Sequence, residues 1–92
     1  MILAIDIGNT HISFGGVCED GSVTEMLQIA TDHAETRYGY AVKLKQVLEL
    51  AGIDPAGFTG AALSSVVPPV TETVKEAVRL AFGHEPLCVG AG

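Results

Sequence analysis

Ninety-two residues, 48% of them hydrophobic and 17% charged, make one small domain at most and exclude intrinsic disorder. Eleven acidic against five basic residues leave a net charge of −6, and Lys43 and Lys45 are the nearest approach to a basic cluster. That balance argues against nucleic acid held on a basic surface. ATP remains open, because a local array of N–H groups with a metal can hold phosphates against the global field.

A chain this short buries only about 60–65% of its unfolded surface, so exposed apolar patches that need a partner are expected. Cys18 and Cys88 form no metal-ligand pattern and read as reduced, buried small hydrophobes. The N-terminus lacks the basic segment and cleavage site of a signal peptide, and no apolar run approaches membrane-spanning length. The expectation is a cytoplasmic protein with no membrane and no nucleic-acid partner.

The chain opens on Ile2-Leu3-Ala4-Ile5, an apolar run suited to a strand buried on both faces, closed by the carboxylate of Asp6. Gly8 and Asn9 tolerate positive φ, so the chain can reverse there. A second strand follows, with Ile12 and Phe14 on one face and His11 and Ser13 on the other. The expected product is a carboxylate at the mouth of a tight turn, beside backbone N–H groups and the Asn9 and Thr10 side chains. Such a turn suits a polyphosphate. Asp6 beside an anion then calls for a cation, and Mg²⁺ binds through one or two carboxylates plus substrate phosphates. A plain hairpin with Asp6 as a capping residue is the alternative.

Glu19-Asp20-Gly21 marks a turn, and Ser22 to Ala30 alternates as a third strand in an antiparallel meander. Asp32, with Glu35 three residues on, is the first candidate for a helix cap, and Thr36 is the second. The helix carries Ala41, Leu44, Val47, Leu48 and Ala51 on one stripe, with Gly52 after its end and Asp54-Pro55 blocking resumption. Gly60 to Val67 reads as a fourth strand, ended by Pro68-Pro69 at a helix start. The second helix has Val70, Val74, Ala77, Val78, Ala81 and Phe82 inward and closes at Gly83. Pro86 to Val89 makes a fifth strand before a turn at Gly90-Ala91-Gly92. The order βββαβαβ implies an α/β fold: a mixed five-stranded sheet with helices on its faces. Ending on a strand without a covering helix suggests a truncated chain.

Asp6-Ile7-Gly8-Asn9-Thr10 resembles the first phosphate motif of the actin-like ATPase and sugar-kinase superfamily, which has a ribonuclease H-like fold. More narrowly, the chain resembles the N-terminal half of type III pantothenate kinases. Ala30-Thr31-Asp32, Ser64-Ser65-Val66-Val67-Pro68-Pro69-Val70-Thr71 and Pro86-Leu87-Cys88-Val89-Gly90 carry the likeness over the whole chain. The resemblance implies a nucleotide-binding half-domain over residues 1–92, with the second domain absent. It implies an enzyme that phosphorylates pantothenate from ATP, the first step of coenzyme A synthesis, as a homodimer using Mg²⁺ and a monovalent cation (K⁺ or NH₄⁺). Carried over residue by residue, Asp6 would position the metal. Ile7, Gly8, Asn9, Thr10, His11, Ile12 and Ser13 would line the nucleotide phosphates. The family's catalytic Asp, pantothenate loop and cation site have no counterpart here, so no catalytic residue is assigned and this chain alone should turn nothing over. His11 stands where Asn is more usual. A non-catalytic binding module of the same fold, or another actin-like small-molecule kinase, is the alternative. His33 and His84 are expected in solvated loops, Tyr38 and Tyr40 in the core, and Ser64 and Ser65 at a strand end in a structural role.

Overall fold

The first strand, β1 (Ile2–Ile7), lies at the centre of the sheet in a computed structural model that describes residues 1–89. It pairs antiparallel with β2 (His11–Val17) and parallel with β4 (Gly60–Ser65). The outer strands are β3 (Leu27–Ala30) and β5 (Leu87–Cys88), giving the order β3-β2-β1-β4-β5. Two helices, α1 (Arg37–Leu50) and α2 (Pro68–Phe82), complete the βββαβαβ order. The turn expected at Gly90-Ala91-Gly92 lies outside the described residues.

Register decides which side chains are packed. Leu3, Ile5 and Ile7 are buried on β1, opposite Ile12 and Phe14 of β2 and beside Ala61 and Leu63 of β4. The helices meet this face with Tyr40, Ala41, Leu44 and Leu48 from α1 and Val70, Val74, Ala77 and Val78 from α2. The two helices also pack on each other, so both cover the same face of the sheet. The expectation that β1 is buried on both faces is therefore corrected. Its alternate residues Ile2, Ala4 and Asp6 lie on an uncovered face, with Ile2 39% exposed.

Several boundaries move for local reasons. The third strand begins at Leu27 rather than Ser22, because the Thr24 hydroxyl accepts the Gly16 N–H at 2.8 Å and displaces a backbone acceptor. Only a Val17–Val23 bridge precedes it. The fourth strand stops at Ser65, whose hydroxyl oxygen accepts the Val67 N–H at 3.0 Å and turns the chain into α2. Helix α1 is capped by Thr36, which accepts from the Gly39 N–H at 3.1 Å. Asp32 instead accepts the Ala34 N–H in the preceding turn. Gly52 and Gly83 take positive φ of 77° and 72° at the two helix ends, as their positions require.

Other expectations change with burial. Tyr40 is fully buried, but Tyr38 is 59% exposed beneath the Arg37 guanidinium. His84, expected in a solvated loop, is half-buried, with one ring nitrogen 2.9 Å from the Phe58 carbonyl oxygen. Neither cysteine is buried, although both are free thiols. A short 3-10 turn at Pro55–Gly57, capped by Asp54, was not legible beyond its proline.

Leu48 is fully enclosed, so Leu48→Ala should lower unfolding free energy by about 2–5 kcal/mol, measured by urea denaturation. A second prediction concerns acid. The Glu35 carboxylate is held below its usual range by its hydrogen bond to Lys43 and then by the Thr36 N–H. A depressed carboxylate stabilises the fold above its unfolded value and loses that contribution as pH falls through the folded value. Glu35→Gln should therefore flatten the acid limb of the stability profile while leaving the neutral limb's slope unchanged, read from melting temperature against pH.

Candidate functional site

Asp6 is the last outward-facing residue of β1 and sits at its carboxyl end, where open α/β sheets place their ligand crevices. Its neighbours across the ladders are Ser13 on β2 and Ser64 on β4. The Ser64 hydroxyl donates to Asp6 Oδ1 at 2.9 Å. Among the described residues Asp6 enters no ion pair, and the carboxylate is exposed. Gln28 Nε2 lies 3.4 Å from Ser13 Oγ, so Ser64, Asp6, Ser13 and Gln28 form one polar row across four strands.

Below that row on the same face, Ala4 and Ala62 form a floor flanked by Met26 and Val89. The depression measures about 190 Å³ and has Asp6 and Ser64 at one end. A larger hollow of about 260 Å³ lies beside Ser65, Thr71 and Cys88, but none of residues 6–13 lines it. The depression beside Asp6 is the one that bears on the turn.

The turn after β1 departs from expectation in one respect. Positive φ is taken by neither Gly8 nor Asn9. Glycine at position 8 relieves a close approach: a Cβ there would stand 3.1 Å from the His11 carbonyl oxygen, which the Gly8 N–H already bonds at 2.9 Å. The reversal thus runs through Asn9 and Thr10, both exposed. Their N–H groups have no protein acceptor among the described residues. The Thr10 hydroxyl oxygen is 3.1 Å from His11 Nδ1, and His11 is exposed on the uncovered face.

The eight residues singled out in the sequence therefore divide into three kinds. Asp6, Asn9, Thr10, His11 and Ser13 present side chains outward, and Gly8 presents backbone. Ile7 and Ile12 are fully buried in the core, so any part they take in binding passes through their main chain. Ser64, read as structural, reaches the carboxylate, whereas Ser65 does serve structure at the α2 start. Thr31 received no role from the sequence, yet it bonds the turn twice: its N–H to the Thr10 carbonyl at 3.0 Å and its hydroxyl to the Gly8 carbonyl at 2.8 Å. Only its place in the Ala30-Thr31-Asp32 run could have drawn attention to it.

Residues that could hold a divalent cation are few. Among the described residues no group of three His, Cys, Asp or Glu side chains converges on one point. A single open carboxylate next to free N–H donors fits Mg²⁺, which takes one or two carboxylates and completes its shell with water and phosphate. It does not fit a metal held by protein alone. No helix among the described residues is long and apolar enough to cross a membrane.

Gly8→Ala should disturb the hairpin, because its Cβ would crowd the His11 carbonyl oxygen at 3.1 Å and the backbone there would have to give by a few tenths of an ångström. The expected cost is roughly 1 kcal/mol or more of stability, with amide shifts concentrated at residues 8–11.

Comparison with known proteins points the same way. A family model described as type III pantothenate kinase matches residues 2–92. A type III pantothenate kinase of Anaeromyxobacter sp. (strain Fw109-5) is 40% identical over 92 residues, covering all of this chain and 36% of that protein. One from Roseiflexus sp. (strain RS-1) is 41% identical over 91 residues, which cover 99% of this chain and 35% of the relative. One from Treponema pallidum is 37% identical over 92 residues and is covered to 34%. The chain spans about a third of the length of the curated relatives it matches. With a family model matched over nearly its whole length, the chain belongs to the type III pantothenate kinase family.

Proposed function

We propose that this chain supplies the first phosphate-binding turn of a kinase that transfers a phosphoryl group from ATP to pantothenate. The observation that carries the reading is the exposed carboxylate of Asp6 at the start of a turn whose Asn9 and Thr10 N–H groups, like that carboxylate's charge, have no protein partner among the described residues. The relatives' printed names supply the substrate.

In this reading Asp6, oriented by the Ser64 hydroxyl, would hold the nucleotide's Mg²⁺. Bound there, the metal supplies charge neutralisation on the phosphates. Ser64 fixes the carboxylate's orientation. Gly8 lets phosphate oxygens reach the backbone, the N–H groups of Asn9 and Thr10 donate to them, and Thr10, His11 and Ser13 add polar side chains at the rim. Ile7 and Ile12 anchor the turn from the core. Phosphoryl transfer rests chiefly on positioning and charge neutralisation, so a rigid turn is a large share of the machinery. The reading includes a monovalent cation and a homodimer, as the resemblance implies, and assigns no residue of this chain to them or to removal of the pantothenate hydroxyl proton. The proposed setting is the cytoplasm, in keeping with two free thiols.

Titrating the isotope-labelled chain with Mg·ATP to millimolar concentration should move the backbone amides of residues 6–13. Asp6→Asn should weaken the magnesium-dependent part of that binding by roughly tenfold or more, since a charged contact is lost. Amides in residues 6–13 that stay still throughout the titration would sink the assignment.

A further inference from the structure

Thr31 lies twenty-three residues beyond Gly8, at the end of β3, and grips the turn from the side opposite β1. Its hydroxyl donates to the Gly8 carbonyl at 2.8 Å, and its N–H donates to the Thr10 carbonyl at 3.0 Å. In a trans peptide the C=O and N–H point in opposite directions. No cis bond is present among the described residues. With the Gly8 carbonyl drawn toward β3, the Asn9 N–H must point away from it. With the Thr10 carbonyl drawn the same way, the His11 N–H must do likewise. The Asn9 N–H, one of the two donors without a protein acceptor among the described residues, is thereby turned to the side away from β3.

Thr31 is itself held in place. The buried Tyr40 of α1 donates its hydroxyl proton to the Asp32 carbonyl at 2.7 Å and accepts the Asp32 N–H at 2.9 Å. The residue next to Thr31 is therefore fixed to the core by two hydrogen bonds. A chain runs from the core through Tyr40, Asp32 and Thr31 to the peptide planes of the turn.

We infer that Thr31 is a positioning residue that aims the Asn9 N–H at the nucleotide phosphates by holding the Gly8 carbonyl on the far side. It touches no ligand. This inference rests on the phosphate-binding reading given above and deepens it. Without the side-chain bond, the peptide between Gly8 and Asn9 is free to rotate, and its carbonyl oxygen can swing toward the anion. A carbonyl facing phosphate repels where an N–H attracts, so the effect on binding should exceed that of a plain loss of rigidity.

The experiment uses the 92-residue chain with Thr31→Val, which keeps the shape and removes the hydroxyl, and Thr31→Ser, which keeps the hydroxyl. Without ligand, the Asn9 amide in Thr31→Val should move upfield, because a carbonyl that loses its hydrogen bond polarises its peptide less. The Thr31→Ser amide should stay near the wild-type position. With Mg·ATP, Thr31→Val should bind roughly tenfold more weakly, and Thr31→Ser should recover most of that loss. If wild type binds and Thr31→Val binds equally well, the positioning role falls and the phosphate assignment stands. If wild type itself does not bind, the phosphate assignment falls and takes this inference with it. Should Thr31→Val fail to fold, Thr31→Ser decides: a serine chain that folds yet binds as if the hydroxyl were missing overturns the inference.

Discussion

The pairing of β1 on both edges is the constraint from which the remaining features follow. Antiparallel to β2 and parallel to β4, it has no freedom to slip, because a one-residue shift would turn Leu3, Ile5 and Ile7 out of the core. The same register that sends these three inward sends Asp6 outward, next to the point where the chain reverses. A carboxylate at the centre of a sheet is costly to bury, and the strand's alternation removes the need. Strand parity thus separates the packed apolar side chains from the exposed carboxylate.

The uncovered face follows from the same geometry. Both helices pack against the side bearing Ile5, Phe14 and Leu63, and against each other, which leaves Ala4, Ala62 and the polar row of Ser64, Asp6, Ser13 and Gln28 without a layer above them. The small side chains at positions 4 and 62 make the depression beside Asp6, which larger residues would fill. An apolar floor ending in a carboxylate and a hydroxyl is the common pattern of a small-molecule site. The rigidity of the turn comes from elsewhere: Tyr40 and Asp32 bring Thr31 to it from the helical layer and the third strand.

Sequence pattern and folded structure part at the third strand and at the turn after β1. Val23 to Ile29 alternates well enough to suggest one strand, yet the Thr24 hydroxyl enters the ladder at Gly16 and breaks it. Periodicity carries no information about a side chain that competes with backbone for the same donor. The choice between Asp32 and Thr36 as the helix cap was similarly hidden, since both residue types cap well. It was decided by Tyr40, whose two bonds to Asp32 hold that residue in the preceding turn. Gly8 suggests dihedral freedom in the sequence, whereas in the fold its missing side chain relieves a close approach to the His11 carbonyl. Both readings name the same residue, and only coordinates separate them.

The sequence by itself determined the order of elements, the apolar stripe of α2, the glycine ends of both helices and the carboxylate beside a reversal, together with the family its motifs resemble. Each of these is local: a period, a cap or a run of neighbouring residues whose chemistry shows within a few positions. The tertiary structure alone decided that both helices share one face, that Ser64 reaches Asp6 and that Thr31 hydrogen-bonds the turn from twenty-three residues away. Those contacts join strands far apart in the chain, and their existence depends on sheet order and register, which no single stretch of sequence encodes.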